Sequence, residues 1–176
     1  MKKQILTAAT FATAALMMSG SPASAVLAQE AGEGATTNRE RGLVMECHGD
    51  AKGLEVYAEL YENNHAGNHI QVVLGGSDSG VGNDKWVDYS IRQGSKVRAA
   101  IRVDGARALV KGTAKKFGAK TPVHESFDDA GYAVEIDGTH KQLRTDLVLK
   151  YDGTTVPLTC DNAFVYDLMV TKTPIV

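Results

Sequence analysis

The amino-acid sequence predicts an all-β protein: an antiparallel meander of about eight to ten strands that forms a β-barrel or a two-sheet β-sandwich and carries one disulfide. Three observations lead to this prediction. Apolar and polar residues alternate with period two along most of the chain, three Asp-Gly pairs are typical of tight turns, and only two cysteines are present. The pattern does not distinguish a barrel from a sandwich.

The first part of the chain, residues 1–28, has the features of a signal peptide. Two lysines precede a short apolar stretch over residues 5–18, and Ala23-Ser24-Ala25 supplies the small side chains that signal peptidase requires. The apolar stretch is shorter than the ~18 residues that a membrane-spanning helix needs. We therefore expect a secreted protein, periplasmic or extracellular, that keeps no membrane segment after cleavage.

Two regions follow the predicted cleavage site. Residues 29–38 are rich in Ala, Gly, Glu and Thr and poor in large apolar groups, so we expect a flexible leader there. Residues 39–176 are long enough for one core, and we predict a single all-β domain and a monomer. Cleavage removes two of the 19 Lys and Arg and none of the 21 Asp and Glu, which leaves a net charge of 17 − 21 = −4.

The strands are assigned from the alternation of apolar and polar side chains and from the turn residues between them. They are expected at residues 41–48, 53–62, 69–75, 85–92, 96–103, 106–114, 131–137, 141–151, 155–160 and 163–171. The Asp-Gly pairs at 104–105, 137–138 and 152–153 suit the two central positions of a type I′ hairpin turn.

An Asp-Gly turn also predicts which residues face each other in the hairpin. The turn at 152–153 brings apolar side chains of both strands to one face: Leu149 opposite Val156, Leu147 opposite Leu158, and Thr145 opposite Cys160. The turn at 137–138 would place Val134 opposite Lys141, so we expect a longer loop or a bulge there.

Cys47 and Cys160 are predicted to form a disulfide, because cysteines of exported proteins are seldom left free in even number. Both lie on the apolar sides of their strands, so the bond should be buried. It would join the first strand to a late one and contribute ~4 to 5 kcal/mol in the chain-entropy description of cross-linking.

Positive charge is concentrated in residues 85–120, which contain ten Lys and Arg and two Asp, a net charge of 10 − 2 = +8. The turn at 104–105 places cations on one outer face of the hairpin: Arg102 opposite Arg107, Arg98 opposite Lys111, and Lys96 beside them. Like charges across a ladder cost ~0.2–1 kcal/mol per pair.

Two explanations of this arrangement remain open. The cations are either a solvated surface balanced by acidic neighbouring strands, or a face that binds an anionic glycan, a wall polymer or an acidic protein surface. Nucleic acid is not expected, because the protein is exported, its net charge is negative, and aromatic residues do not alternate with the cations.

A second candidate surface contains Tyr57 and Tyr61, which point outward from one strand beside Glu55, Glu59 and Gln71. Outward tyrosines beside carboxylate and amide groups can stack on sugars or anchor a partner protein. Alternatively, a second sheet or the leader covers them.

His65 and His69 form the one pair of histidines with a spacing that metal sites use. That spacing aligns two ligands on a helix, whereas Asn63-Asn64 and Gly67-Asn68 are turn residues between two strands. We favour a solvated hairpin over a metal site at this position.

The segment that contains Cys47, VYAELYENN and IQVVLGG, within residues 47–76, resembles the opening of periplasmic C-type lysozyme inhibitors, which are small disulfide-tied β-barrels. The resemblance implies a barrel and an inhibitory function, and it assigns no residue of this chain a role.

The sequence as a whole favours a soluble secreted binding protein without a cofactor rather than an enzyme, because it contains no convincing nucleophile–base pair, phosphate loop or metal motif. The alternatives are a metal-binding protein or metal-assisted hydrolase that uses His65 and His69, and a secreted enzyme inhibitor.

Overall fold

The computed structural model describes residues 34–75 and 80–175. The predicted signal peptide, residues 29–33 of the predicted leader, residues 76–79 and Val176 lie outside this range. The described part contains ten strands and no helix, which confirms the predicted all-β class. The strands are β1 (Thr36–Ala51), β2 (Leu54–Asn63), β3 (Gly67–Leu74), β4 (Val81–Val87), β5 (Arg92–Gln93), β6 (Lys96–Val103), β7 (Ala106–Lys116), β8 (Thr121–Asp129), β9 (Tyr132–Tyr151) and β10 (Thr154–Pro174).

All ten strands belong to one antiparallel sheet with the order β4-β3-β2-β1-β10-β9-β7-β6-β5, and β8 pairs with β9 outside this path. The sheet curls into a half-barrel. Its two ends approach each other where Asn83 Nδ2 of β4 donates a hydrogen bond to the carbonyl oxygen of Arg102 in β6, at 2.8 Å. A single curled sheet, rather than two packed sheets, therefore encloses the core.

The core consists of the side chains that alternate toward the inside of the curl, as the period-two pattern predicts. They form one apolar cluster to which seven of the ten strands contribute, β1, β2, β3, β6, β7, β9 and β10. The large and almost fully buried members include Leu43, Met45, Leu60, Ile70, Leu147 and Leu149.

Within the described residues, no helix is long and apolar enough to cross a membrane.

The predicted disulfide between Cys47 and Cys160 is confirmed. It joins β1 to β10, the first strand to the last, and Cys47 is 1% exposed. The register of the β1–β10 pair shifts between Glu46 and Cys47, and the β9–β10 ladder is interrupted between Leu158 and Phe164. The predicted pairing of Thr145 with Cys160 is wrong for this reason, because the irregularity begins after Leu158.

Two of the three predicted Asp-Gly turns are confirmed. Asp104 and Gly105 have φ angles of 46° and 75°, and Asp152 and Gly153 have φ angles of 42° and 72°, so both pairs adopt the left-handed conformations of a type I′ turn. The predicted pairs Leu149–Val156 and Leu147–Leu158 follow from the second turn.

The predicted turn or loop at Asp137-Gly138 is wrong, because both residues lie inside β9, where they pair with Met169 and Leu168 of β10. Glycine is needed here for close approach of the strands: a Cβ atom at position 138 would lie 2.2 Å from the carbonyl oxygen of Asp167. The turn occurs instead at Ala130-Gly131, between β9 and the unpredicted strand β8.

The long strands β9 and β10 each combine two of the predicted strands. The first part of β9 pairs with β8, and the last part of β10 pairs with the first part of β1. Strand β1 begins at Thr36, opposite Lys172, so its first three residues belong to the segment for which a flexible leader is expected.

Candidate functional site

The β6–β7 hairpin has the predicted register. Arg102 lies opposite Arg107 and Arg98 opposite Lys111, while Lys96 faces Thr113. The intervening residues of β6 point into the core: Val97, Ala99, Ile101 and Val103 are all buried. The five cations Lys96, Arg98, Arg102, Arg107 and Lys111 therefore share the outer surface of the hairpin, and we refer to them as the basic face.

The basic face lacks neutralising partners in the described part of the chain. Among the residues that the structure describes, no carboxylate lies within 4.0 Å of these five side chains. The ion pairs found among the described residues instead involve Arg39, Arg41 and three histidines. Four of the five cations are exposed, and Lys111 is half-buried. Arg102 donates a hydrogen bond from Nη1 to the carbonyl oxygen of Gly105, which holds its guanidinium beside the turn.

The neighbouring strand adds further positive charge. In β9, Lys150 lies opposite Leu109, Arg144 opposite Lys115, and Asp146 opposite Thr113. Two cations and one acid therefore flank the basic face on this side, so β9 does not supply the acidic neighbours that would neutralise it. The sequence did not indicate this extension, because β7 and β9 are not joined by a hairpin turn.

Tyr57 and Tyr61 lie on the outer surface of β2, as predicted. Tyr57 is 39% exposed, and its hydroxyl donates a hydrogen bond of 3.4 Å to Glu59 Oε2. Burial, together with the negative charges of Glu59 and Glu46, raises the pKa of Tyr57 from 10.0 to about 12, so its hydroxyl stays protonated over a wider range of alkaline pH than an ordinary tyrosine. Tyr61 is half-buried between His69 of β3 and Val44 of β1.

The two histidines proposed as metal ligands occupy different kinds of position. His65 is exposed in the turn after β2, where its backbone N–H donates to Asn63 Oδ1 at 2.7 Å. His69 lies in β3 with Nε2 3.1 Å from Asp84 Oδ2 and its ring centroid 4.9 Å from that of Trp86. Over residues 34–75 and 80–175, no three His, Cys, Asp or Glu side chains are placed to hold a metal ion.

A separate charged cluster joins β1 to β10. Arg39 forms a two-pronged ion pair with Asp167, at 2.7 Å and 2.8 Å, and Arg41 lies 3.3 Å from the same carboxylate. The hydrogen bond from Arg39 is the main cause that lowers the pKa of Asp167 to about 2. These groups neutralise one another, so we assign them to strand pairing rather than to binding.

No protein-family model, curated protein or solved structure matches this chain.

Proposed function

We propose that the protein is a secreted binding protein whose basic face attaches it to an anionic polymer. The observation that carries the proposal is the side-by-side placement of Arg98 with Lys111 and of Arg102 with Arg107, without a carboxylate within 4.0 Å among the described residues. This arrangement costs free energy in the unbound protein, and an anionic ligand would relieve the cost.

The spacing of the cations favours a polymer over a small anion. Residues opposite each other in a ladder have Cβ atoms about 5 Å apart. The two cation pairs are four residues apart along β6, which corresponds to ~13 Å at ~3.3 Å per residue. A single phosphate or carboxylate cannot reach both pairs, whereas repeated anionic groups along one chain can.

The composition of the face favours carboxylate, sulfate or phosphate groups. Three of the five cations are arginines, whose planar guanidinium can donate two parallel hydrogen bonds to such groups. An acidic glycan or wall polymer supplies these groups in series. The disulfide and the features of residues 1–28 support placement of the protein outside the cytoplasm, where such polymers occur.

The experiment measures binding of the protein to dextran sulfate and to polygalacturonate by calorimetry, with uncharged dextran as the negative control. If about four cations are engaged, the affinity should fall roughly 50-fold between about 50 and about 200 mM NaCl. A variant with Arg98→Glu, Arg102→Glu and Arg107→Glu should lose binding to both polyanions.

The matched control reverses three exposed cations outside the basic face, Lys52→Glu, Lys120→Glu and Lys172→Glu, and changes the net charge by the same amount. It should keep its affinity within about threefold, because distant surface charges are screened over ~10 Å. Equal losses in the two variants would show that only net charge matters. Binding that ignores salt and survives the arginine reversals would refute the proposal.

A further inference from the structure

The part of the sheet that does not carry the basic face has a row of aromatic side chains on its outer surface. The row runs across five adjacent strands, from β4 through β3, β2 and β1 to β10, and consists of Trp86, His69, Tyr61, Val44 and Phe164. Each member lies directly opposite the next in the ladders. Four of the five side chains are aromatic rings, and we call this set the aromatic row.

A row of hydrogen-bonding side chains runs beside it. Two residues further along each strand, the same five strands present Asp84, Gln71, Glu59, Glu46 and Asn162, again directly opposite one another. Asn162 Nδ2 donates a hydrogen bond of 2.6 Å to Glu46 Oε2. We call this set the polar row; Tyr57 borders its far side and donates to Glu59.

Neighbouring side chains hold several of these rings in place. His69 lies between Asp84, at 3.1 Å, and the indole of Trp86. Phe164 is flanked by His140 and Tyr166, with centroid distances of 5.4 Å and 6.5 Å. Rings that are already ordered lose little conformational entropy when a ligand binds.

Tyr166 is itself fixed across the neighbouring strand. Its hydroxyl donates to the carbonyl oxygen of Glu62, at 3.0 Å, and its ring passes over Gly42, where a Cβ atom would lie 2.6 Å from the hydroxyl. A side chain at position 42 would therefore displace Tyr166, the residue that flanks Phe164 at this end of the row.

The shape and charge of the two rows indicate what they bind. Five strands at a spacing of about 4.8 Å give a strip ~19 Å long. The strip is only two side chains wide, whereas a stable protein interface uses about 20–30 residues on each side. A narrow strip with flat apolar rings on one side and carboxylates and amides on the other suits a linear chain of sugars, whose C–H faces stack on rings and whose hydroxyls form hydrogen bonds.

We propose that the aromatic row and the polar row together bind a neutral polysaccharide. The polar row contains three carboxylates, those of Asp84, Glu59 and Glu46, which would repel an anionic chain. The ligand of this face therefore differs from the anionic polymer proposed for the basic face. The two sites lie on different strands and are tested independently.

Trp86 makes the proposal directly measurable, because it is the only tryptophan of the protein and is 45% exposed. Its fluorescence is titrated with a panel of neutral polysaccharides: hydroxyethyl cellulose, laminarin, glucomannan and xylan. At least one should change the emission saturably and protect Trp86 from quenching by acrylamide. Tyr61→Ala should lower the affinity for that polysaccharide roughly tenfold, and Glu59→Gln combined with Gln71→Ala should lower it to a similar extent.

The control variant is Phe127→Ala, which removes an exposed ring (36% exposed) on β8; its partner Val134 lies opposite Lys172 of β10, far along that strand from Phe164. It should bind as tightly as the natural protein, as should the triple arginine variant of the basic face, so failure of one proposal does not affect the other. Circular dichroism verifies that each variant is folded.

Three results would overturn the proposal: no response of Trp86 to any member of the panel, equal losses in Tyr61→Ala and Phe127→Ala, or a dimer that dissociates on Trp86→Ala. The last result would identify the row as a contact between two copies of the chain.

Discussion

Replacing Gly138 by alanine tests the finding that Asp137-Gly138 lies within a strand. A methyl group at this position would lie 2.2 Å from the carbonyl oxygen of Asp167 and 2.8 Å from Cα of Leu168. Both are backbone atoms of β10, so no side-chain rotation relieves the contact. The strands must separate by roughly 1 Å, which lengthens the neighbouring β9–β10 hydrogen bonds.

The expected loss of stability follows from two costs. Overpacking costs about 1–3 kcal/mol, and each weakened backbone hydrogen bond costs up to about 1 kcal/mol. We expect the free energy of unfolding to fall by about 2–4 kcal/mol. At about 2–4 °C per kcal/mol for a chain of this size, the Tm should fall by about 5–15 °C.

The assay is urea unfolding followed by circular dichroism, together with a thermal scan. The control is Gly82→Ala in the exposed strand β4, where the nearest atom is the side-chain Cγ2 of Val73, at 3.1 Å; it should change stability by less than about 0.5 kcal/mol. Asparagine tolerates left-handed turn conformations, so Gly153→Asn should be mild, whereas Gly138→Asn should be as damaging as Gly138→Ala. If Gly138→Asn and Gly138→Ala both behave like Gly82→Ala, the strand assignment of residue 138 is wrong.

Two further predictions concern the contacts between β1 and β10. The Cys47–Cys160 bond spans 113 residues, so Cys47→Ala with Cys160→Ala should lower the free energy of unfolding by about 5 kcal/mol. A reducing agent should lower the stability of the natural protein equally and leave the variant unaffected; a loss below about 2 kcal/mol would contradict the expectation. The second concerns Asp167, whose pKa is about 2 in the folded protein against an ordinary value of 3.8. Because the folded-state pKa is depressed, the ion pairs with Arg39 and Arg41 contribute fully above about pH 4, and the contribution is lost as the pH falls toward 2. Partial exposure and screening limit it to about 1 kcal/mol. The difference in urea midpoint between the natural protein and Asp167→Asn should therefore shrink between pH 5 and pH 2, and a difference independent of pH would contradict the assignment.

Local signals predicted the hairpins that are closed by a tight turn. The turn at Asp104-Gly105 determines every pair in β6–β7 by counting outward, and the alternation shows which side chains enter the core. The basic face could be predicted for the same reason. For the dipeptide Asp137-Gly138 the same kind of signal predicted a turn where the structure has a strand. Turn propensity is local, whereas the contact with Asp167 that makes glycine necessary comes from a distant strand.

Strand β8 was missed because its sequence, TPVHESFDD, lacks regular apolar alternation. It is stabilised by pairing with β9 rather than by burial of one face, and no residue of β8 belongs to the core cluster. Of the aromatic row, Tyr61 was a predicted ligand-binding residue, together with its neighbour Tyr57 outside the row, and His69 was considered only as a metal ligand. Trp86 and Phe164 come from β4 and β10, whose registers with β3 and β1 cannot be counted from a tight turn.

The sequence by itself determined the all-β class, the period-two core, the disulfide and the registers about two Asp-Gly turns, because these depend on neighbouring residues or on the pairing of the only two cysteines. Tertiary structure alone decided the strand order, the curl of one sheet into a half-barrel, and the alignment of Trp86, His69, Tyr61 and Phe164 across five strands. Pairing between distant strands depends on how the whole sheet buries its inner face, and the residues of a single strand do not encode that choice.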